Sequence, residues 1–363
     1  MRRTRMTLVA CTATRTRTAA AVVAAVVVGV ALLGVGGDAG ASSGPSATEV
    51  ALAASGSPMQ APQPPVVVAS GIPYPQNLAF DAHGGLWVTS ATVSETPSAG
   101  LWYVSNGGRV HHVRGLAGAG ALAWNGGRLY LGVITKPGKG QIRVLQGFTG
   151  DGFAHSRVLL DNLALGAHLI GQIVAGPGGR LFLGLGALED HSGPPGRVIS
   201  FSPQGGAPAV AATGLRTAYG LAFWNSRLLV TVNGPDLAGV SADVVQAFTP
   251  SHRVVNFGFP KCYDQGGAAC AGYPAPLASL ASHSTPEGIV VKGDVAYVAV
   301  NGSSVPQYPV PSGIDSIDLR TGQVSVFWQS SVPHDNVGLA LGPDGNLYAS
   351  ETVSGAVVRF SLS

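Results

Sequence analysis

Charge is scarce in this chain. Asp, Glu, Lys and Arg together make up 11% of 363 residues, and Lys and Arg nowhere form a block. A phosphate-tracking surface therefore has no electrostatic support, which excludes nucleic acid as a partner. Cysteine is rarer, with Cys11, Cys262 and Cys270 the three residues present. Neither a closely spaced CxxC pair nor a histidine cluster accompanies them, so the common zinc and dithiol motifs are missing. Also missing are a His-Glu-x-x-His segment and a Gly-x-Ser-x-Gly elbow, and with them the hydrolase chemistries those motifs carry. No long amphipathic helical pattern runs through the chain, which leaves strands to build the core.

What is present begins with an export signal. Arg2, Arg3, Arg5, Arg15 and Arg17 precede the apolar run AAAVVAAVVVGVALLGV and then the small residues Ala39, Gly40 and Ala41, an order that predicts cleavage after Ala41. The alternative is an uncleaved anchor, since the run approaches bilayer-spanning length; this is the one route by which a membrane becomes a partner. Arg2-Arg3 lies too far from the apolar run for a twin-arginine signal, and no cysteine follows the run to take a lipid. Without residues 1–41 the chain has 16 basic and 17 acidic residues, so the excess of positive charge belongs to the leader. Residues 42–65, rich in Ala, Ser, Pro and Gly, read as a disordered tether because they cannot recover the entropy of ordering. Residues 66–363 are then one extracytoplasmic domain. In an oxidising compartment its two cysteines, at the end of NFGFPKC and beyond YDQGGAA, are expected to form a disulfide between Cys262 and Cys270 that pins the loop.

Internal repetition sets the architecture. Six segments run from an apolar strand through a Gly or Asx turn into a second apolar strand: QNLAFDAHGGLWVTS, GALAWNGGRLYLGV, GQIVAGPGGRLFLGLG, GLAFWNSRLLVTVNG, GIVVKGDVAYVAVNG and VGLALGPDGNLYASE. Their turns, at positions 85, 127, 179, 226, 294 and 345, are spaced as one four-stranded blade each with insertions. The strands are almost continuously apolar, as expected when both faces of a sheet are covered. The fold class is therefore all-β, a six-bladed β-propeller. After AVVRFSL the last unit has no residues for a fourth strand, and PVVVAS at 65–70 can supply it, closing the ring and removing free edges.

Two familiar patterns fail on context. GAGALA at 118–123 matches a dinucleotide fingerprint but is followed by a hairpin where the motif needs a helix. GPDGN at 342–346 lacks the carboxylates of a helical calcium loop and reads as a turn.

Functional residues of a propeller gather on loops at one end of its channel. The candidates are His168 with Gln172 in the third unit, Arg216 with Asn233, Gly234 and Pro235 in the fourth, His283 with Glu287 in the fifth, and Asp335 with Asn336 in the sixth. Each could instead cap its own blade.

The stretch 212–263, ATGLRTAYGLAFWNSRLLVTVNGPDLAGVSADVVQAFTPSHRVVNFGFPKCY, resembles the soluble glucose and sorbosone dehydrogenases, six-bladed propellers that use pyrroloquinoline quinone (PQQ) with calcium. NFGFPKC is similar to their Tyr-Gly-Trp-Pro segment, HLIGQIVAGPGGRLFLGLG to their third-blade motif, SHSTPEGI to their fifth and GPDGNLYASE to their sixth. The resemblance covers most of 160–363 in order. It implies oxidation of a sugar or polyol, with His168 as the base that takes the hydroxyl proton. Arg216 and Thr217, with Asn233, Asp335 and Asn336, would face the quinone, and the carbonyls of Gly234 and Pro235 would ligate Ca2+. Gln172, His283 and Glu287 would line the substrate channel. Departures accompany the match. Thr217 stands where the family has Asn, Asp335-Asn336-Val337-Gly338 stands for Arg-Pro-x-Asp, and no lysine matches the family's cofactor-binding one. Two further readings remain open. One is a calcium-assisted lactonase of the gluconolactonase kind, with Asn233, Glu287 and Asp335 on a channel metal. The other is a non-catalytic propeller that binds glycan or protein.

Overall fold

The computed structural model describes residues 63–90, 100–166, 170–235, 243–262 and 268–362. The export signal, nearly all of the tether and His168 lie outside the described residues. The described residues form six sheets, antiparallel except for one short parallel pairing, and two short 3-10 turns.

The turns set the hairpins. At Asp81 the carboxylate accepts hydrogen bonds from the His83 and Gly85 amides, each at 2.9 Å, and from the Trp87 indole at 3.2 Å. One Asx side chain thus reverses the chain and anchors the next strand. Asp344 plays the same part for Asn346 and Tyr348. The innermost strands of the six blades are Pro75–Phe80, Ala119–Asn125, Ile170–Ala175, Thr217–Trp224, Pro286–Lys292 and Asn336–Leu341. They touch one another in sequence order, and the sixth touches the first. Between each pair of neighbouring blades lies one of six apolar clusters, such as Trp87, Leu101, Leu122, Leu129 and Leu131 between the first and second. Each fully buried large apolar side chain there contributes about 1.5–3 kcal/mol.

The expected closing strand is in place. Val66–Ser70 pairs antiparallel with Ala356–Phe360 and becomes the fourth strand of the sixth sheet. Ala119–Asn125, which overlaps the false dinucleotide match at 118–123, is a strand. NFGFPKC behaves differently from a loop that simply leaves the fourth blade. Val255–Asn256 runs parallel to Ala209–Leu215 as a fifth strand of the third blade, before Ala278–Ser279 completes the fourth. The rings of Phe257 and Phe259 are buried, the Phe259-Pro260 peptide is cis, and Cys262 is bonded to Cys270. The segment is a staple between two blades, and the disulfide fixes its outer end.

One irregularity recurs in every blade. The innermost strand carries a β-bulge at its start: between Pro75 and Leu78, Ala119 and Ala121, Ile170 and Ile173, Ala218 and Leu221, Pro286 and Ile289, and Asn336 and Leu339. A bulge adds a residue to one strand and re-aims its side chains. Six of them around one axis give a ring whose members are set by what each blade places there.

Candidate functional site at the propeller axis

Blades four and six place glycine in the second bulge position because backbone from the next blade fills the space. A Cβ on Gly220 would come within 2.2 Å of the Glu287 carbonyl oxygen, and one on Gly338 within 1.8 Å of the Gln76 carbonyl oxygen. Hydroxyls on the second strands hold this ring. Thr231 Oγ1 accepts from the Gly220 amide and donates to the Glu287 carbonyl, both at 2.7 Å. Thr89 accepts from the Asn77 amide at 3.0 Å and donates to the Gly120 carbonyl at 2.8 Å.

Where the fourth and sixth blades have glycine, the first has Asn77. Its Nδ2 donates to the Gly120 carbonyl at 2.8 Å and to the Tyr219 hydroxyl at 3.2 Å. Tyr219 belongs to the fourth blade, so this bond crosses the axis between opposite blades. Burial, and secondarily the charge of Glu287, hold the Tyr219 phenol well above its ordinary pKa, with the Asn77 bond working the other way. It therefore stays a neutral hydroxyl.

Glu287 sits beside this bar. Burial pushes its carboxyl up to about 8; a hydrogen bond from Asn233 partly offsets this, and the Asp243 carboxylate adds to it. Several buried atoms at the starts of the inner strands and of their cross-strand partners have no protein partner: Glu287 Oε2, Asn233 Oδ1, Asn77 Oδ1, Thr217 Oγ1 and Asn336 Nδ2. Thr217 is the cross-strand partner of Asn233. A buried polar atom without a partner costs about 1–3 kcal/mol. Several of them near the ring of inner strands mark a place where solvent or a ligand completes the bonding.

The other sequence candidates are placed as follows. Arg216 is buried; its Nη1 donates to the Gly234 carbonyl at 2.6 Å and to the Asn233 carbonyl at 3.3 Å. Its Nε donates to the Asp190 carbonyl at 3.1 Å, and its Nη2 pairs with the Asp190 carboxylate. Gly234 and Pro235 are buried, and the Gly234 amide donates to Asp243 at 2.8 Å. Asp335 turns into its own blade, where its carboxylate accepts from the Val353 and Ser354 amides and the Ser354 hydroxyl. Asn336 Oδ1 accepts from Ser312. Gln172 Oε1 accepts from the Leu221 amide at 3.1 Å, stitching blades three and four. His283 is buried, has φ of 62°, and stacks on Tyr308 with ring centroids 4.6 Å apart. Arg216 and Asn233 thus meet, as do Asn233 and Glu287, whereas Asp335, Gln172 and His283 serve the blade framework.

Asn77, Tyr219 and Asp243 are absent from the sequence candidates. Aligning the six repeats on their bulges would have exposed the first two. Tyr219 and Glu287 share a column with Gln76, Gly171 and Val337, and Asn77 stands in the column of Gly220, Gly288 and Gly338.

The residues present do not fit the quinone and calcium pair. The Gly234 carbonyl that would ligate Ca2+ already accepts from the Arg216 guanidinium, and two cations on one oxygen repel strongly. The guanidinium that would meet the quinone is paired with Asp190, and Asp335 is saturated by its own blade. Among the described residues no three His, Cys, Asp or Glu side chains form a metal cluster.

Comparison with known proteins defines the class of the fold. The chain is similar to the Carbohydrate-Active Enzymes family AA12 protein of Trichoderma reesei, solved with iodide, at 17% identity, over 82% of this chain and 96% of that one, with a TM-score of 0.70. It is similar to the PQQ-bound aldose sugar dehydrogenase of Streptomyces coelicolor at 19% identity, over 81% and 96%, with a TM-score of 0.65. More distantly it matches a structure described as a candidate gluconolactonase, at 13% identity, over 82% and 91%, with a TM-score of 0.53. No protein-family model and no curated relative matches the sequence. The chain therefore has the six-bladed fold of the quinone-dependent sugar dehydrogenases, the architecture expected from its motifs.

Proposed function

We propose that this protein is an extracytoplasmic sugar-binding propeller, built on the sugar dehydrogenase fold, whose axial pocket takes a small carbohydrate or polyol without the quinone. The observation that carries this reading is the set of unpartnered buried atoms on the inner-strand starts and their cross-strand partners: Glu287 Oε2, acceptors on Asn77 and Asn233, a donor on Asn336 and the two-way hydroxyl of Thr217. Polyols present donors and acceptors on every carbon, and a pocket with both kinds of open atom matches them. Glu287, held as a neutral acid near pH 7, adds a further donor. The disulfide supports an oxidising compartment. Carbohydrate chemistry is the theme of the structural neighbours, one an aldose sugar dehydrogenase and another from a carbohydrate-active family.

The test is calorimetric titration of the full chain with a panel of aldoses and polyols, run beside thermal melts in calcium alone and in calcium with PQQ. Saturable sugar binding is expected, with no shift from PQQ beyond that of calcium. A further PQQ-dependent shift, together with dye reduction lost in His168→Ala, would restore the dehydrogenase reading. Metal-dependent lactone hydrolysis without quinone would replace it with the lactonase reading.

A further inference from the structure

The end of the propeller away from the bulges holds a cavity that the axial site does not use. Inner strands begin at the bulges and finish at the hairpin turns. Pro177 and Ser226, in the turns of the third and fourth blades, line this cavity of about 550 Å³. One of its walls is a detour of the chain. In the fifth blade the third strand, Gly313–Asp318, turns directly into the fourth, Val324–Gln329. In the fourth blade the chain leaves the third strand, Val244–Phe248, and crosses through 249–254 to pair Val255–Asn256 with the third blade. Thr249, Pro250, Ser251 and His252 of that crossing line the cavity. Phe248 and Phe257 bracket the crossing with ring centroids 6.0 Å apart, and Cys262 beyond them is held by the disulfide. The wall is thereby preorganised.

The lining joins aromatic rings to a cation. Phe182 and Phe223 pack edge to face, with centroids 5.4 Å apart and planes at 69°. A Cβ on Gly176 would come within 2.5 Å of the first ring and 2.7 Å of the second, so glycine there lets both rings close on backbone. Ser200 aims the Arg180 guanidinium. Nη2 donates to the Ser200 carbonyl at 3.0 Å, and Nε and Nη2 donate to its hydroxyl at 3.3 Å and 3.1 Å. Among the described residues the Arg180 Nη1 has no hydrogen-bond partner. The stretches around the lining, 176–182, 200–211, 223–228 and 248–256, carry Arg180, Arg227, Arg253 and His252 and no Asp or Glu. A cavity of this size, with aromatic rings and an uncompensated positive charge, suits a small organic anion.

We propose that this cavity binds a small aromatic carboxylate, with its ring against Phe182 and Phe223 and its carboxylate on Arg180. Edge-to-face contact favours an aromatic body over an aliphatic one, and a carboxylate matches the open side of a planar guanidinium. A neutral sugar would leave the Arg180 charge unused. The site is separate from the axial pocket and does not rest on the carbohydrate reading.

The experiment titrates the full chain by calorimetry with trans-cinnamate, and with cinnamyl alcohol and octanoate, which lack the charge and the ring respectively. One equivalent of cinnamate is expected to bind, with the other two probes about fivefold weaker or more. Arg180→Gln, at an exposed position, should weaken cinnamate about tenfold or more. Ala209→Phe, which fills the cavity from an exposed lining position, should abolish binding, and thermal melts check that both variants fold. Absence of binding at millimolar cinnamate would overturn the proposal. So would alcohol or octanoate binding as tightly, or cinnamate binding that Arg180→Gln or Ala209→Phe leaves unchanged. Glu287→Gln, at the other end of the blades, should leave cinnamate affinity as it was; loss there would place the ligand on the axis and overturn the assignment. Sugar titrations of the same sample read the carbohydrate pocket independently.

Discussion

Asp335 and Glu287 stand at the start of the innermost strands of adjacent blades, and their oxygens meet different fates. Asp335 accepts from two backbone amides and a hydroxyl of its own blade. Glu287 keeps one oxygen open beside two open amide oxygens. The first is a cap that ties a strand to the loop after the following hairpin; the second is a group the fold leaves for something else to satisfy. Residue type alone does not separate them, since both are acids placed just before an apolar strand. What separates them is local donor supply. The Val353 and Ser354 amides reach Asp335, whereas Glu287 lies in the bulge of its strand and the Thr231 hydroxyl at its carbonyl is taken by backbone.

That contrast can be broken by mutation. The largest effect is expected at Asp335→Ala, which removes the buried acceptor of three charge-assisted hydrogen bonds from the exposed loop at Val353 and Ser354 and should cost about 1.5–3 kcal/mol. Guanidinium melts would measure it, while sugar affinity at the axis stays within twofold. A melt unchanged from the parent would mean that Asp335 is not the cap described. Next comes Thr231→Val, which removes the acceptor for the Gly220 amide and should cost about 1–2 kcal/mol. Thr231→Ser should recover most of it, since the hydroxyl and not the methyl holds the ring.

The smallest effect sharpens the contrast through pH, using an acid far from the axis. Asp315, on a middle strand of the fifth blade, is pushed up to about 6 by burial. Its folded pKa lies above its unfolded value near 4, so between those values the folded state holds the proton more tightly. Stability from this group is present below about pH 4 and lost as pH rises through about 6. Asp315→Asn should flatten that fall by about 1 kcal/mol. An unaltered pH profile of the melting temperature would show that the carboxyl finds compensation in the sheet.

The fold was legible because it is written six times. Each hairpin turn and the closing strand at 66–70 followed from local periodicity and from counting strands in the last repeat. The site was legible only in part. Arg216, Asn233 and Glu287 were found by their places before and after inner strands, and the structure brings them into one neighbourhood. Their partners were not legible. Asp190 reaches Arg216 from the third blade, and Asn77 reaches Tyr219 from the opposite side of the ring. Such contacts depend on closure, which no local pattern encodes. The resemblance placed Asp335 at the cofactor, yet its side chain turns toward Ser354, a choice set by loop amides eighteen and nineteen positions away.

The most direct measurement is a crystal structure of the full chain with an aldose or polyol that calorimetry shows to bind. The account predicts sugar hydroxyls within hydrogen-bond distance of Glu287 Oε2 and Asn233 Oδ1, the open oxygens, with Arg216 still on the Gly234 carbonyl. Sugar seated away from the propeller axis, or Arg216 swung aside from Gly234 to meet a ligand, would contradict it.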